Sequence, residues 1–275
     1  MSGAQAAMLP DGRRLHLQHG PIDLIIEAWG PERNACYRQA TARFQTVLEG
    51  LCEELPALRS PKRDADFKDP TAKRMSQAIA PYSGVFVTPM ASVAGAVADE
   101  TLAALTAGRD VPKAYVNNGG DVAFHLTSGQ AISAKGPSGD IVIRHEDLAR
   151  GVATSGWRGR SHSLGIADAV TVAAPSAAAA DVAATLIANA VDLPGNAAIE
   201  RLPAAELCPD SDLGQRLVTT AVRPLTAREV DEALEPGAAL ARRLIERGLI
   251  SQAVLLLQGR TQVAGTIKQE IPEHA

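Results

Sequence analysis

The stretch Gly151 to Val191, GVATSGWRGRSHSLGIADAVTVAAPSAAAADVAATLIANAV, constrains this chain more than any other. A short β-branched run, Val170 to Val172, precedes Pro175, and a long alanine-rich segment follows it. That segment predicts a helix, with Ser176 as its N-cap. Its one charged residue is Asp181, and Thr185 lies four positions on. Residues at i and i+4 share a helix face, so one carboxylate and one hydroxyl leave an otherwise apolar rod on the same side. Such a rod packs closely against neighbours, and its polar pair is either a small site or a structural contact.

Composition narrows the partners of that rod. Apolar residues make up 46% of the 275 residues but aromatics only 3%, so the core must be built from Ala, Val, Leu and Ile. The formal net charge is -4 with no long basic block, which argues against nucleic acid. Cys36, Cys52 and Cys208 are too few and too scattered for a disulfide framework or a zinc site, and a reduced cytoplasmic setting is expected. No apolar run approaches the ~20 residues of a membrane span. The first residues, MSGAQAAMLPDGRR, lack the charged head and apolar stretch of a secretory signal.

In chain order, Arg13 to His19 and Pro21 to Ala28 read as two strands of a hairpin turned at His19-Gly20-Pro21. Pro31 to Cys52 reads as a helix with Ala35, Phe44, Val47, Leu48 and Leu51 on one face. Pro56, Pro61 and Pro70 bracket a charged connector. Ala72 to Ile79 is a short helix, Ser83 to Pro89 a β-like run, and Ser92 to Leu105 a helix. Asn118-Gly119-Gly120 is a hairpin signal between Tyr115–Asn117 and Asp121–Leu126. Ser133 to Ser138 is turn-rich and Asp140 to Arg144 a strand. Beyond the central stretch, Asn196 to Thr220 is mixed. Thr226 to Glu229 is a capping box opening a helix that Pro236 kinks or restarts and Gly248 ends. Ile250 to Leu257 is expected to be the final strand. Residues 1–10 and 260–275 are expected to be flexible. Paired strands among helices, with no regular βαβ series, predict an α+β fold, a single domain of two interlocked lobes.

Three stretches together resemble the ApbE-like superfamily, the flavin transferases that move FMN from FAD onto a protein threonine. Ser92 to Asp99 followed by Ala114 to Val122 (AYVNNGGDV) resembles the family's small-residue helix and Gly-Gly-Asp turn. Thr154-Ser155-Gly156 and His162 resemble its Ser-Thr-Ser-Gly segment and histidine. Ala180-Asp181-Val-Ala-Ala-Thr185 resembles its A-D-A-x-A-T helix and matches it at the two ligands, the Asp and Thr that bind magnesium. The resemblance covers roughly Ser92 to Val191. Three departures mark a divergent branch: Ala94 stands where the transferases carry a lysine, SLGIADA replaces the Asp-Pro and Thr-Gly pair after the histidine, and the N-terminal Phe-Met-Gly-Thr motif is absent.

The resemblance implies a central cleft for a flavin or other phosphate-bearing, nucleotide-like small molecule. It further implies Mg2+ at Asp181 and Thr185, FAD or FMN as cofactor, and His162 with Asp181 as catalytic groups. Asn117, Gly119, Gly120, Asp121, Ser155, Gly156, Trp157, Arg158 and Arg160 would line the ligand. Each has a plainer reading. Gly119-Gly120 is a turn needing positive φ. Arg158, Arg160 and His162 make a solvated loop, or else an anion cradle with Trp157 stacked on a planar ring. Asp181 is an aspartate in the N-terminal half of its helix, favoured by the macrodipole and facing water, or a ligand to a hard cation. Two functions follow: a magnesium-dependent transferase or hydrolase, or a non-catalytic binding protein that kept the cleft and lost the chemistry. The sequence leaves self-association open.

Overall fold

The computed structural model describes residues 3–136 and 139–265. In chain order the elements are β1 (Gln5–Met8), β2 (Leu15–His19), β3 (Ile22–Ala28), α1 (Arg33–Glu53), α2 (Leu55–Leu58), α3 (Pro70–Ile79), α4 (Val93–Thr106), β4 (Lys113–Asn118), β5 (Asp121–Leu126), β6 (Ala131–Gly136), β7 (Gly139–Arg144), β8 (Gly151–Ser155), β9 (Ala169–Ala174), α5 (Ala177–Ala190), β10 (Ile199–Pro203), α6 (Ala204–Leu207), β11 (Leu217–Val222), α7 (Ala227–Glu246), β12 (Gln252–Leu257) and β13 (Arg260–Gly265). Among the described residues helices and antiparallel ladders coexist without βαβ crossovers, so the fold is α+β, as the strand pairs predicted. Residue contacts divide the chain into two compact units, each made of three segments: Met1–Gln130, Arg150–Ala153 and Ser176–Val182 form the first, and Ala131–Ala149, Thr154–Pro175 and Ala183–Ala275 the second.

The first unit is built on an antiparallel ladder running β1, β2, β3, β4, β5 and the start of β8. Alternation sets its buried face: Leu15 and Leu17, then Leu24 and Ile26, then Ala114 and Val116, then Ala123. Against that face lie Cys36, Ala40, Phe44 and Val47 of α1 and Ala96 and Val97 of α4, in one continuous core. Each large aliphatic side chain buried there contributes about 1.5–3 kcal/mol. Charged groups tie the helices: Glu100 of α4 accepts from Arg43 of α1 at 2.9 Å and from Arg74 of α3 at 2.8 Å. The buried face of α1 starts at Cys36 and Tyr37, and the predicted Ala35 is off it by one step.

The second unit holds three antiparallel pieces: β9, β12 and β13; the β6–β7 hairpin; and the β10–β11 ribbon. α7 runs through Pro236 as one helix, so of the expected kink or restart the restart does not occur. Gly237 beside that proline lets the helix close on the C-terminal half of α5, for a Cβ there would come within 2.5 Å of Val191 Cγ2 and 3.2 Å of the Ile187 carbonyl.

Other expectations are corrected. Gln5–Met8 and Arg260–Gly265, read as loose ends, are strands paired to β2 and β12, because backbone ladder bonds order segments whose side chains remain exposed. β12 is therefore not the last strand. Ser83 to Pro89 forms no strand: Gly84 turns the chain at φ +84° and Pro89 opens a 3-10 turn leading into α4. The turn-rich reading of Ser133 to Ser138 gives way to β6 as far as Gly136, while Pro137 and Ser138 lie outside the described residues. Among the described residues no helix is long and apolar enough to cross a membrane.

Candidate functional site

In the first unit the expected site residues gather where two helices begin. Gly95 lies in the first turn of α4, and a Cβ there would sit 2.2 Å from the Ala177 carbonyl oxygen. From the other side, Gly151 of β8 approaches the Ala177 nitrogen so closely that its own Cβ would lie 2.1 Å away. The start of α5 is thus gripped between two glycines, and only glycine permits either approach.

At that junction each helix caps the other. The Asp99 carboxylate of α4 accepts from the Ala177 N–H at 3.0 Å and the Ala178 N–H at 2.8 Å, the first two amides of α5. Asp181 of α5 accepts from the Gly95 N–H of α4 at 3.0 Å through Oδ2. Ser176 Oγ, the predicted N-cap, takes the Ala179 N–H at 3.1 Å. Orphan amides at a helix start carry partial positive charge, and an acceptor oxygen satisfies both needs. With these amides bonded to the protein, the α5 start has no open cradle for a phosphate, so any anion must be held elsewhere.

The electrostatics are lopsided. Burial, and then the nearby charge of Asp121, push the Asp181 carboxyl well above the ordinary carboxylate range. The Gly95 and Ala94 amides pull it back, and Asp99 adds repulsion. Burial likewise raises Asp99, against the Ala178 and Ala177 amides and the charge of Arg74. Three carboxylates therefore sense one another around Asp181. Thr185, on the part of α5 that belongs to the second unit, is half-buried one turn along that helix.

The Gly119-Gly120 turn takes positive φ at both positions, +65° and +116°, and both glycines are exposed. It joins β4 and β5 as antiparallel strands with Asn118 opposite Asp121, as the hairpin signal predicted. Asn117 Oδ1 accepts from the Gly120 N–H at 2.8 Å, so this side chain holds the turn. Asn118, which sequence reasoning passed over, donates from Nδ2 to the Ala94 carbonyl at 3.1 Å and fixes the turn to the start of α4.

The remaining candidates lie in the second unit. Gly156 is a packing residue, since a Cβ would meet the Asp168 carbonyl oxygen at 2.5 Å. Asp168 organises the loop: it accepts from Trp157 Nε1 at 3.2 Å, Arg158 Nε at 2.6 Å and the Gln258 N–H at 2.6 Å. Arg158 also lies over the Trp157 ring, 4.9 Å from its centroid. Arg158 is thus already matched to a carboxylate. Arg160 and His162 are exposed, and Ser155 is half-buried at the end of β8. Asp99 was read from sequence only as the aspartate of the helix that resembles the family's, with no site role, and Asp168 was missed. The signal for Asp99 was the same as for Asp181, a carboxylate on a helix of alanine and valine, whereas nothing local distinguishes Asp168.

Among the described residues no group of three or more His, Cys, Asp or Glu side chains is placed to hold a metal ion. Asp181 and Thr185 still offer the oxygen donors that magnesium takes, and magnesium commonly needs only one or two carboxylates besides water and phosphate.

The chain is 35% identical over 175 residues to a UPF0280 protein of Methanopyrus kandleri, a match spanning 61% of this chain and 69% of that protein. It is 40% identical over 114 residues to a UPF0280 protein of Methanothermobacter thermautotrophicus, covering 39% of this chain and 44% of the relative. Two solved structures align along most of the chain. One is the apo flavinyl transferase ApbE of Pseudomonas stutzeri, at 15% identity, 96% and 94% coverage and TM-score 0.47. The other is a variant flavin transferase ApbE of Vibrio cholerae, at 11% identity, 96% and 97% coverage and TM-score 0.48. The family model described as AbpE bacteria matches residues 6–263, and the chain belongs to that family, an ApbE-like branch.

Proposed function

We propose that the protein binds a phosphate-bearing flavin or a related nucleotide-like small molecule together with a divalent cation, magnesium by its ligand chemistry, held at Asp181 and Thr185. One observation carries this reading: Asp181 is held on the Gly95 amide at 3.0 Å, where burial first and then the charges of Asp121 and Asp99 raise its carboxyl. Crowded carboxylates cost stability unless a cation or a proton joins them. The bound cation would neutralise that charge and the phosphates of the ligand. Asp181 orients through its bond to the Gly95 amide, and Thr185 adds a hydroxyl oxygen from the same helix. The bare Gly119-Gly120 backbone would admit close approach of a ligand, with Asp121 as the next residue of the hairpin. In the second unit, taken by itself, the loop from Gly156 to His162 is read as a separate contact for a planar ring or an anion. Arg160 and His162 supply its charge and proton-carrying capacity, and Trp157 its flat face.

The second reading, binding without flavin transfer, is favoured by Ala94, which stands in the place of the transferases' lysine. Arg158 supports it too, being engaged by Asp168. Calorimetric titration with FAD, FMN, ADP and ATP, with and without magnesium, tests the proposal. Magnesium-dependent heat with at least one of them is expected, lost in Asp181→Asn and weakened in Thr185→Val. Absence of binding to all four at millimolar concentration would overturn it. Incubation with FAD and a threonine acceptor peptide separates the two readings: little or no covalent flavin is expected, and efficient labelling would establish a transferase.

A further inference from the structure

We infer that Asp99 is a positioning residue for Asp181: by clamping the first two amides of α5, it sets where that helix begins and so how Asp181 meets Gly95. Four observations converge. The Asp99 carboxylate is bidentate, one oxygen on the Ala177 N–H and the other on the Ala178 N–H, which fixes both distance and rotation of the helix start. Asp181 lies one turn further along α5 and returns a bond to the Gly95 N–H, one turn before Asp99 on α4. Gly95 has no side chain and the Ala177 backbone fills that space, so the helices meet without slack. Gly151 closes the opposite side of Ala177.

The result is a closed ring of contacts: Asp99 to α5, α5 to Asp181, Asp181 to Gly95, and Gly95 through α4 back to Asp99. A charged bidentate acceptor is stronger and more directional than a hydroxyl cap. Ser176 Oγ takes the third amide of the same helix, at 3.1 Å, and its hydroxyl also bonds the Asp99 carboxylate, so it supports that clamp through one neutral contact. The two caps thus differ in kind, one fixing the placement of α5 and the other adding stability to its end. Asp99 stands on these bonds alone; its consequence for a cation rests on the function proposed above.

The Gly95 amide reports the position of Asp181 directly, so its hydrogen exchange in the full-length protein, measured by NMR against the buried Val116 amide of β4, tests the inference. Asp99→Asn removes the charge and one acceptor. It is expected to lower the relative protection of Gly95 about tenfold, the size of one lost charge-assisted bond. Asp99→Glu keeps the charge, displaces it by one methylene, and is expected to move Gly95 in the same direction. Ser176→Ala frees another amide of the same helix and one hydrogen bond to Asp99 but leaves both Asp99 clamps in place, and is expected to lower Gly95 protection by less than either Asp99 variant. Titration of the three variants with Mn2+ alone should show weakened binding for both Asp99 variants and a smaller change for Ser176→Ala. Wild-type Gly95 protection in both Asp99 variants, or an equal loss in Ser176→Ala, would overturn the positioning role. Wild-type protein that ignores Mn2+ would defeat the cation reading and leave the Gly95 comparison decisive for this one.

Discussion

At the scale of single residues, glycine and aspartate do opposite work at one junction. Gly95 admits the Ala177 backbone, and an added methyl would lie 2.2 Å from a carbonyl oxygen that two helix caps hold in place. Overpacking of this sort costs up to about 3 kcal/mol where the surroundings cannot yield. Gly95→Ala should therefore lose about that much in urea unfolding, whereas Gly120→Ala should lose less, because open space surrounds Gly120 and only its φ of +116° opposes a side chain. Asp181 combines two contributions that substitution can part. Asp181→Ala leaves the Gly95 N–H without its acceptor and is expected to lose about 1–2 kcal/mol. Asp181→Asn keeps an acceptor oxygen and removes a charge that Asp121 and Asp99 repel, so it should unfold at equal or higher urea concentration than wild type at neutral pH. Both variants should lose cation binding. An Asn variant as unstable as the Ala variant would show that the ionised carboxylate itself holds the two helices together.

At the scale of elements, legibility follows how local each cause is. The capping box of α7 was readable because both partners lie within four residues: Thr226 N–H donates to Glu229 Oε2 at 2.8 Å and Glu229 N–H to Thr226 Oγ1 at 3.3 Å. Thr226→Ala should lower stability by about 1 kcal/mol, read from a thermal melt, with Thr226→Asn close to wild type. The β4–β5 hairpin was equally readable, since two glycines at positive φ specify it. β1 and β13 were not. Their side chains are mostly exposed and carry no clear alternation, and their order comes from ladder bonds to β2 and β12 that no local pattern announces. Pro236 misled for a related reason: the proline was visible, but not the close contact that Gly237 makes with Val191. The candidate site divides the same way. Asp181 stood out as the one charge on an alanine helix, while its bond to Gly95 spans 86 positions of sequence and the bond from Asp168 to Gln258 spans 90. Arg158 was read as a free cation because Asp168, its partner, had no reason to be singled out.

At the scale of the whole molecule, these carboxylates predict how stability depends on pH. Burial alone would raise Glu100, but hydrogen bonds from Arg43 and Arg74 and their charges hold it below the ordinary carboxylate range. A group so depressed adds stability that is present above its unfolded value and is lost as pH falls through its folded value. Asp99 and Asp181 are raised, so the opposite sign applies: between the unfolded and the higher folded value the native state binds more protons, and stability increases as pH falls. Acidifying from neutral should first relieve Asp181 and Asp99, then break the Glu100 cluster. Urea midpoints measured from about pH 8 down to about pH 3 are expected to rise to a maximum on the acidic side of neutrality and then fall. Asp181→Asn should flatten the rise and leave the fall, and Glu100→Gln should weaken the fall and leave the rise. Magnesium, if Asp181 receives it, should lift stability at neutral pH and lose its effect once Asp181 is protonated, so that the two curves converge under acid. A wild-type profile that declines steadily from neutral pH, or one that Asp181→Asn leaves unchanged, would mean that the three carboxylates are screened from one another and that Asp181 is not held for a cation.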